Sequence, residues 1–261
     1  MSFFSHLLQA PAYLNLPIFG LDISDRSFKY ITFKEIPQGL RVEYHNTGDI
    51  PSGLVAGGVI NDVPALADIL RSALSSLPYR HVALALPEEK GFIRTIRMPR
   101  VAPEELREAI ALQLEEYVPL PPEETIFDYR LLPGPNDSNS IAVLIAAFPV
   151  SVLAGYKDAV EQAGYTLAAL EIESQAIARS IIPPSEYPET VLVIDIGLTR
   201  TSFLFAKDGY AQFTSTMPLG GATMHEAIAK TLHVDETRAE QLKKEQGLSR
   251  TKENMPIFEA L

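Results

Sequence analysis

The chain has 261 residues and no cysteine. Disulfide frameworks, thiolate metal sites and cysteine nucleophiles are therefore excluded together, and the composition fits a reducing compartment such as the cytoplasm. Cations are scarce. Against 33 Asp and Glu stand 22 Lys and Arg, a formal net charge of −11. That sign repels phosphate backbones and anionic lipid, so neither nucleic acid nor a membrane surface is expected as a direct partner. No apolar run approaches the roughly 18–20 residues that a bilayer span needs. The start, Met1-Ser-Phe-Phe-Ser-His-Leu-Leu, is apolar but has neither a basic segment nor a small-residue cleavage site, so it does not read as a signal peptide. It reads as a tail over 1–17, more readily a disordered leader ending at Pro17 than an amphipathic anchor or a partner-binding arm. The five histidines, His6, His45, His81, His225 and His233, lack metal-ligand spacing. Ser174 and Ser215 have no His/Asp partner that the sequence places nearby, which argues against a nucleophilic hydrolase. The acidic pairs Glu88-Glu89, Glu104-Glu105 and Glu123-Glu124 read as solvated helix starts or loops.

What is present is an apolar fraction of 46%, enough for a large core in one big domain or two ordinary ones. Within it, Val191-Leu-Val-Ile-Asp195-Ile-Gly197-Leu-Thr199-Arg-Thr201 and the run to Asp208-Gly209 spell a β-hairpin. An apolar strand ends in an acid, expected at a buried strand end. A turn with Gly197 and Thr199 follows, and then a second strand. A carboxylate beside a Gly/Thr turn suits a phosphate and its metal, although taken alone the stretch reads more readily as an ordinary hairpin. The pattern recurs about 170 residues earlier, in Ile18-Phe-Gly-Leu-Asp22-Ile-Ser24-Asp25-Arg26-Ser27-Phe-Lys29. Two such units make an internal repeat at domain scale.

Between them the periodicities alternate. Leu40 to His45 reads as a strand and Pro51 to Ile60 as a Gly-rich loop. Asp62 to Leu77 is a helix capped by Asp62. A block over 83–170 then reads strand–strand–helix–strand–strand–helix–strand, an insertion between the repeats. Its first helix opens at Pro103-Glu104-Glu105, and Gly134 to Ser140 is a loop. Glu173 to Ile181 is a short helix, and Pro183 to Pro188 a linker. After the second hairpin come a strand, Gln212 to Met217, a turn at Gly220-Gly221, and helices from Ala222, Thr237 and Pro256.

Several of these segments, in this order, resemble one family. They are Ile96-Arg-Met-Pro99, Pro103-Glu-Glu-Leu106, Glu115-Glu-Tyr-Val-Pro-Leu-Pro121, Phe127-Asp-Tyr-Arg130, Glu171-Ile-Glu-Ser-Gln-Ala-Ile-Ala-Arg179, Met217-Pro-Leu-Gly-Gly221 and Ala239-Glu-Gln-Leu-Lys-Lys-Glu-Gln-Gly247. The chain resembles the actin-like ATPases and, within them, the PilM family of type IV pilus assembly, relatives of the division protein FtsA. The resemblance implies an α/β fold, an actin-like (ribonuclease H-like) core of two related units with an inserted small α+β subdomain. The units would be 18–82, an insert 83–170, a connecting helix and linker 171–190, and a second unit 191–261 that is incomplete, the Gly-rich adenosine motif being absent from these residues.

The same resemblance implies ATP and Mg²⁺ as cofactors. Asp22 and Asp195 would place Mg²⁺, partly through water. Ser24, Ser27 and Lys29 in the first motif and Gly197, Thr199 and Thr201 in the second would face the phosphates. Glu173 would orient the attacking water, so Asp22, Glu173 and Asp195 form the implied catalytic set. Two departures stand out. Asp25 puts a second carboxylate where phosphate is expected, offset by Arg26. Leu198 and Arg200 are larger than the usual residues. The implied partner is the cytoplasmic N-terminal peptide of a PilN-like inner-membrane protein, with self-association, and the implied location is cytoplasmic and peripheral at the inner membrane through that partner. An ATP-binding assembly protein fits better than a weak ATPase. The alternatives are an FtsA-like division protein or a scaffold that no longer binds nucleotide.

Overall fold

The computed structural model describes residues 16–132, 139–182, 189–247, 249–251 and 254–260. It divides into two units, 1–177 and 178–261. The predicted loop at 134–138 and the linker at 183–188 lie outside the described residues. Among those residues no helix is long and apolar enough to cross a membrane.

The first unit is built on a five-stranded mixed sheet of β1 (Ile18–Ile23), β2 (Ser27–Ile36), β3 (Gly39–Asp49), β6 (His81–Leu86) and β10 (Thr166–Ile172), in the order β10-β6-β1-β2-β3. β1, β6 and β10 are parallel, while β1 to β3 form an antiparallel meander. Strict alternation sends Phe19, Leu21 and Ile23 of β1 and Val82, Leu84 and Leu86 of β6 into the core. Two helices supply the opposite layer, α1 (Val63–Leu74) with Leu66, Leu70 and Leu74, and α3 (Val150–Gln162) with Tyr156, Ala159 and Val160. Burying each of these large side chains stabilises by about 1.5–3 kcal/mol. Asp62 caps α1 as its sequence position predicts, its carboxylate accepting the Ala65 N–H at 3.0 Å. The Tyr165 ring meets Phe19 edge-on, and its hydroxyl donates to the Leu74 carbonyl at 2.7 Å.

Sequence and structure differ in four places here. The Gly-rich stretch read as a loop contains a small hairpin, β4 (Val55–Ala56) and β5 (Val59–Ile60), because Gly57 and Gly58 turn with φ of +55° and +71°. The block read as an insertion gives β6, α3 and β10 to the main sheet. Outside that five-stranded sheet lies 92–149: β7 (Phe92–Pro99), α2 (Leu106–Tyr117), β8 (Thr125–Leu132) and β9 (Ser140–Pro149). β9 pairs with β7 and with β8, and α2 buries Leu106, Ile110 and Leu114 against Ile96, Met98, Val143 and Ile145. The helix starts at Leu106 rather than at Pro103, with no side chain capping it. β3 extends past His45 to Asp49 and is bulged, so that Glu43 and Tyr44 lie opposite Thr32, whose hydroxyl accepts the Tyr44 N–H at 2.9 Å.

α4 (Glu173–Ile181) spans the division between the units. In the second unit β11 (Val191–Ile196), β12 (Thr201–Lys207) and β13 (Tyr210–Met217) form an antiparallel meander. The β12–β13 turn falls on Asp208-Gly209 as predicted, at φ +53° and +78°. α5 (Gly221–Leu232), α6 (Glu236–Gln246) and α7 (Met255–Ala260) pack around Ile228, Ala239, Leu242 and Ile257. The expectation that β11 ends buried is not met. Its apolar side chains Leu192, Ile194 and Ile196 are about half exposed, and Asp195 is exposed with them.

Gly48 faces Phe28 across the β2–β3 ladder, and a Cβ there would lie 2.2 Å from the Phe28 ring, which is 2% exposed. Gly48→Ala is expected to cost about 1–3 kcal/mol, the usual scale of overpacking. Chemical denaturation measures it, and an unchanged midpoint would show that the ring moves aside freely.

Candidate functional site

The two acid–turn units predicted from sequence are the same turn at hydrogen-bond level. In the first, Asp22 pairs across the ladder with Lys29 and Ile23 with Phe28, and the Ser24 N–H donates to the Ser27 carbonyl at 2.9 Å. In the second, Asp195 pairs with Ser202 and Ile196 with Thr201, and the Gly197 N–H donates to the Arg200 carbonyl at 2.8 Å. Each acid is thus seven residues before its cross-strand partner. In both, the second residue past the acid closes the turn on the fifth. The register equates Ser24 with Gly197, Ser27 with Arg200 and Phe28 with Thr201.

That equivalence sorts the predicted residues. Thr201 occupies the inward position that Phe28 fills in the first turn, and both are buried. Its hydroxyl donates to the Leu219 carbonyl at 2.7 Å, so the proton a phosphate would need is already used. Thr201 braces the turn. Gly197 and Thr199 remain half-buried at the turn itself. In the first turn the Ser24 hydroxyl donates to the Ser27 carbonyl at 2.9 Å and lies 3.3 Å from the Ser27 hydroxyl. Lys29 Nζ stands 3.6 Å from Asp22 Oδ2, so one acid faces an ammonium across its ladder and the other, Asp195, a hydroxyl.

The carboxylate of Asp25, which seemed set against a phosphate, is held elsewhere. It accepts the N–H groups of Gly57 at 3.1 Å and Gly58 at 3.2 Å. Two successive amides in a left-handed glycine turn form a natural anion seat. Arg26 reaches Ser52 Oγ at 3.4 Å, and its carbonyl accepts the Ile50 N–H. The second turn is braced as closely. The N–H groups of Gly221 and Ala222, at the start of α5, donate to the carbonyls of Gly197 at 2.9 Å and Leu198 at 2.8 Å. Gly220 permits this, since a Cβ there would lie 2.6 Å from the Leu198 oxygen and 2.7 Å from the Gly197 oxygen.

Two groups in these surroundings escaped the sequence reading. A Cβ on Gly221 would lie 3.1 Å from Lys243 Nζ, so the α6 lysine stands at the glycine start of α5, next to the Gly197 turn. Ammonium, helix N-terminus and turn together favour negative charge. His225, on α5, is 6% exposed, and its Nε2 is buried without a hydrogen-bond partner. Burial first, and then the Lys243 charge, hold its pKa below the ordinary value. Periodicity gave no sign of either, because α5 and α6 meet across a turn that the sequence does not fix. Glu173 heads α4 as predicted, and its Oε2 accepts the Glu88 N–H at 3.5 Å.

Among the described residues no three His, Cys, Asp or Glu side chains converge as a protein-only metal cage. Each turn, taken by itself, offers an aspartate near its strand end, a donor that suits an ion keeping most of its water, the habit of Mg²⁺. The glycine-lined start of α5 with Lys243 fits the phosphate.

Two acid-headed hairpin turns on two α/β units, with a ladder inserted between them in the chain, define an actin-like fold. The solved structures agree. A chain of a PilM–PilN type IV pilus biogenesis complex superposes with a TM-score of 0.78 at 24% identity, covering 94% of this chain and 72% of that one. The ethanolamine utilization protein EutJ from Carboxydothermus hydrogenoformans follows with a TM-score of 0.51 at 19% identity, over 92% and 65% of the respective chains. The chain belongs to the type IV pilus assembly protein PilM family, whose model matches residues 20–255. The cell division protein FtsA of Streptococcus pneumoniae serotype 2 (strain D39 / NCTC 7466) is a distant relative, 24% identical over 254 residues. That match takes in 87% of this chain and 55% of FtsA, so the chain spans about half the length of that curated relative.

His225 gives a test of the surroundings. The unfolded chain takes up a proton near pH 6.5, the ordinary histidine value, while the folded helix cluster resists it to lower pH. Stability that is complete above pH 6.5 is therefore lost as pH falls toward the depressed folded value. Thermal denaturation between pH 7.5 and about 5 is expected to show falling midpoints in the wild type and a flatter profile in His225→Gln. Parallel profiles would remove His225 from the account.

Proposed function

We propose that this chain is the cytoplasmic, actin-like component of a type IV pilus assembly machine, that it binds Mg-ATP through the Asp22 and Asp195 turns, and that it holds the cytoplasmic N-terminal peptide of a PilN-like inner-membrane protein. The observation that carries the nucleotide part is the duplicated turn, with the same cross-strand register and closing bond behind each acid. Asp22 and Asp195 hold the Mg²⁺ shell, which neutralises charge on the terminal phosphates. Ser27, Lys29, Gly197 and Thr199 face phosphate oxygens, and Lys243 joins them. Ser24 and Thr201 hold their turns in shape. Glu173 orients water, and with a single carboxylate so placed hydrolysis is slow. Nucleotide serves chiefly to set the state of an assembly protein.

The partner part is supported by family membership and by likeness to a PilM solved with PilN. An extended peptide captured in a groove is a common recognition mode. It makes the protein peripheral at the inner membrane without any lipid contact of its own, in keeping with its net charge of −11.

Isothermal titration of the chain with Mg-ATP is expected to show one site. Asp22→Ala and Asp195→Ala should each weaken it by about tenfold or more, since a lost charge-assisted contact is worth about 1.5–3 kcal/mol. No heat in the wild type would remove the nucleotide part. Fluorescence anisotropy with a labelled peptide from the N-terminus of a PilN-like protein tests the other part. Peptide binding without nucleotide binding would leave a scaffold, and neither would remove the proposal.

A further inference from the structure

Among the described residues one carboxylate is buried. It is Glu88, at 4% exposure, half of a doublet that reads in sequence as solvated. It sits in a short 3-10 turn, Glu88–Lys90, between β6 and β7. Its Oε2 accepts the Ser174 N–H at 3.2 Å, in the first turn of α4. Its own N–H donates to Glu173 Oε2 at 3.5 Å. Two glutamates 85 residues apart thus exchange bonds, the carboxylate of each taking an amide of the other's segment. Burying a carboxylate is unfavourable unless donors compensate it. A helix N-terminus is a suitable compensation.

The contact is locked from both sides by missing side chains. A Cβ on Gly91 would lie 2.8 Å from Ile172 Cδ1, so β7 leaves the turn pressed against the end of β10. A Cβ on Gly58 would lie 2.9 Å from both Glu89 Oε1 and Pro87 Cβ, so the small β4–β5 hairpin sits on the same turn. That hairpin is the one whose amides hold Asp25. A continuous path of close contacts therefore runs from the Ser24–Ser27 turn through Asp25, Gly57-Gly58 and Glu89 to Glu88 and Glu173. It opens directly into β7, the first strand of the inserted ladder.

We infer that Glu88 is the positioning residue for Glu173, and that their reciprocal clasp passes the state of the Ser24–Ser27 turn to the root of the inserted ladder. This rests on the nucleotide reading above for the signal, but the clasp itself is decided without nucleotide. A displaced turn moves Asp25, the Gly57-Gly58 amides and the segment behind them. That segment cannot shift without releasing Ser174 or dragging Glu173 and β7 with it, because neither Gly58 nor Gly91 leaves slack.

Hydrogen exchange followed by mass spectrometry on the full chain tests it, with peptides over 173–177, 92–98 and 22–27 and the α1 peptide 63–74 as the folding control. Without nucleotide, Glu88→Ala is expected to speed exchange roughly tenfold at 173–177 and to raise it at 92–98, leaving 63–74 unchanged. Glu88→Gln keeps the acceptor and should stay within about twofold of the wild type. With Mg-ATP, protection at 22–27 should spread to 92–98 in the wild type and in Glu88→Gln, and stop at 22–27 in Glu88→Ala. Wild-type exchange in Glu88→Ala, or a change confined to 173–177, overturns the inference. If Glu88→Ala also loosens 63–74, Glu173→Ala decides instead, by faster exchange at 88–91 together with 92–98 or by neither. If Mg-ATP protects nothing in the wild type, the nucleotide reading fails and the transmitted signal with it, while the comparison without nucleotide still decides whether Glu88 positions Glu173.

Discussion

One backbone hydrogen bond, from the second residue past an aspartate to the carbonyl of the fifth, sets the chemistry of each unit. It is short-range and needs no particular side chain, yet it fixes where everything near it points. Once Ser24 closes on Ser27 and Gly197 on Arg200, the acid is left one residue from the end of its strand, and the residue after the closing amide, Asp25 or Leu198, meets the groups that brace the turn. The braces differ in detail but use the same donors. Amides of a glycine turn hold a carboxylate in one unit, and amides of a glycine-led helix hold carbonyls in the other. Neither turn is left to solvent to define, and preorganisation of that kind lowers the ordering cost of binding a charged ligand.

The duplication is also where the units part company. Lys29 stands across from Asp22, whereas Ser202 stands across from Asp195 and is tied to Thr216. A carboxylate facing an ammonium is already partly neutralised, while one facing a hydroxyl keeps its full charge for an ion. The repeat supplies two equivalent scaffolds, and single substitutions at matched positions give them unequal electrostatics.

The parts of this arrangement legible in sequence are those set by neighbours. The acid, the turn and the alternating strand announce both hairpins. Asp62 announces its helix, Glu173 opens α4 where it was expected, and Asp208-Gly209 turns as its type predicts. What was not legible depends on approach between distant segments. The Asp25 carboxylate was read against a phosphate because its partners, Gly57 and Gly58, are more than 30 residues away. Glu88 passed for a solvated acid because its partner lies 86 residues on, at Ser174. Thr201 looked like a ligand residue until the register matched it with Phe28. The block between the repeats was drawn too wide because a parallel strand such as β6 or β10 has no local signature of the sheet it joins.

The bulge in β3 has a further consequence. That strand is the outer edge of its sheet, eleven residues long, and nearly all of them are exposed. A straight edge of such length, carrying Leu40, Val42 and Tyr44, would be a ready template for the edge of another copy. Where Glu43 and Tyr44 crowd opposite Thr32, the spacing of outward amides and carbonyls is broken and the strand is twisted out of plane. Arg41 and Glu43 bring charge to the same stretch. A bulge and charges of this kind are a recognised way of making a long sheet edge a poor template for another strand.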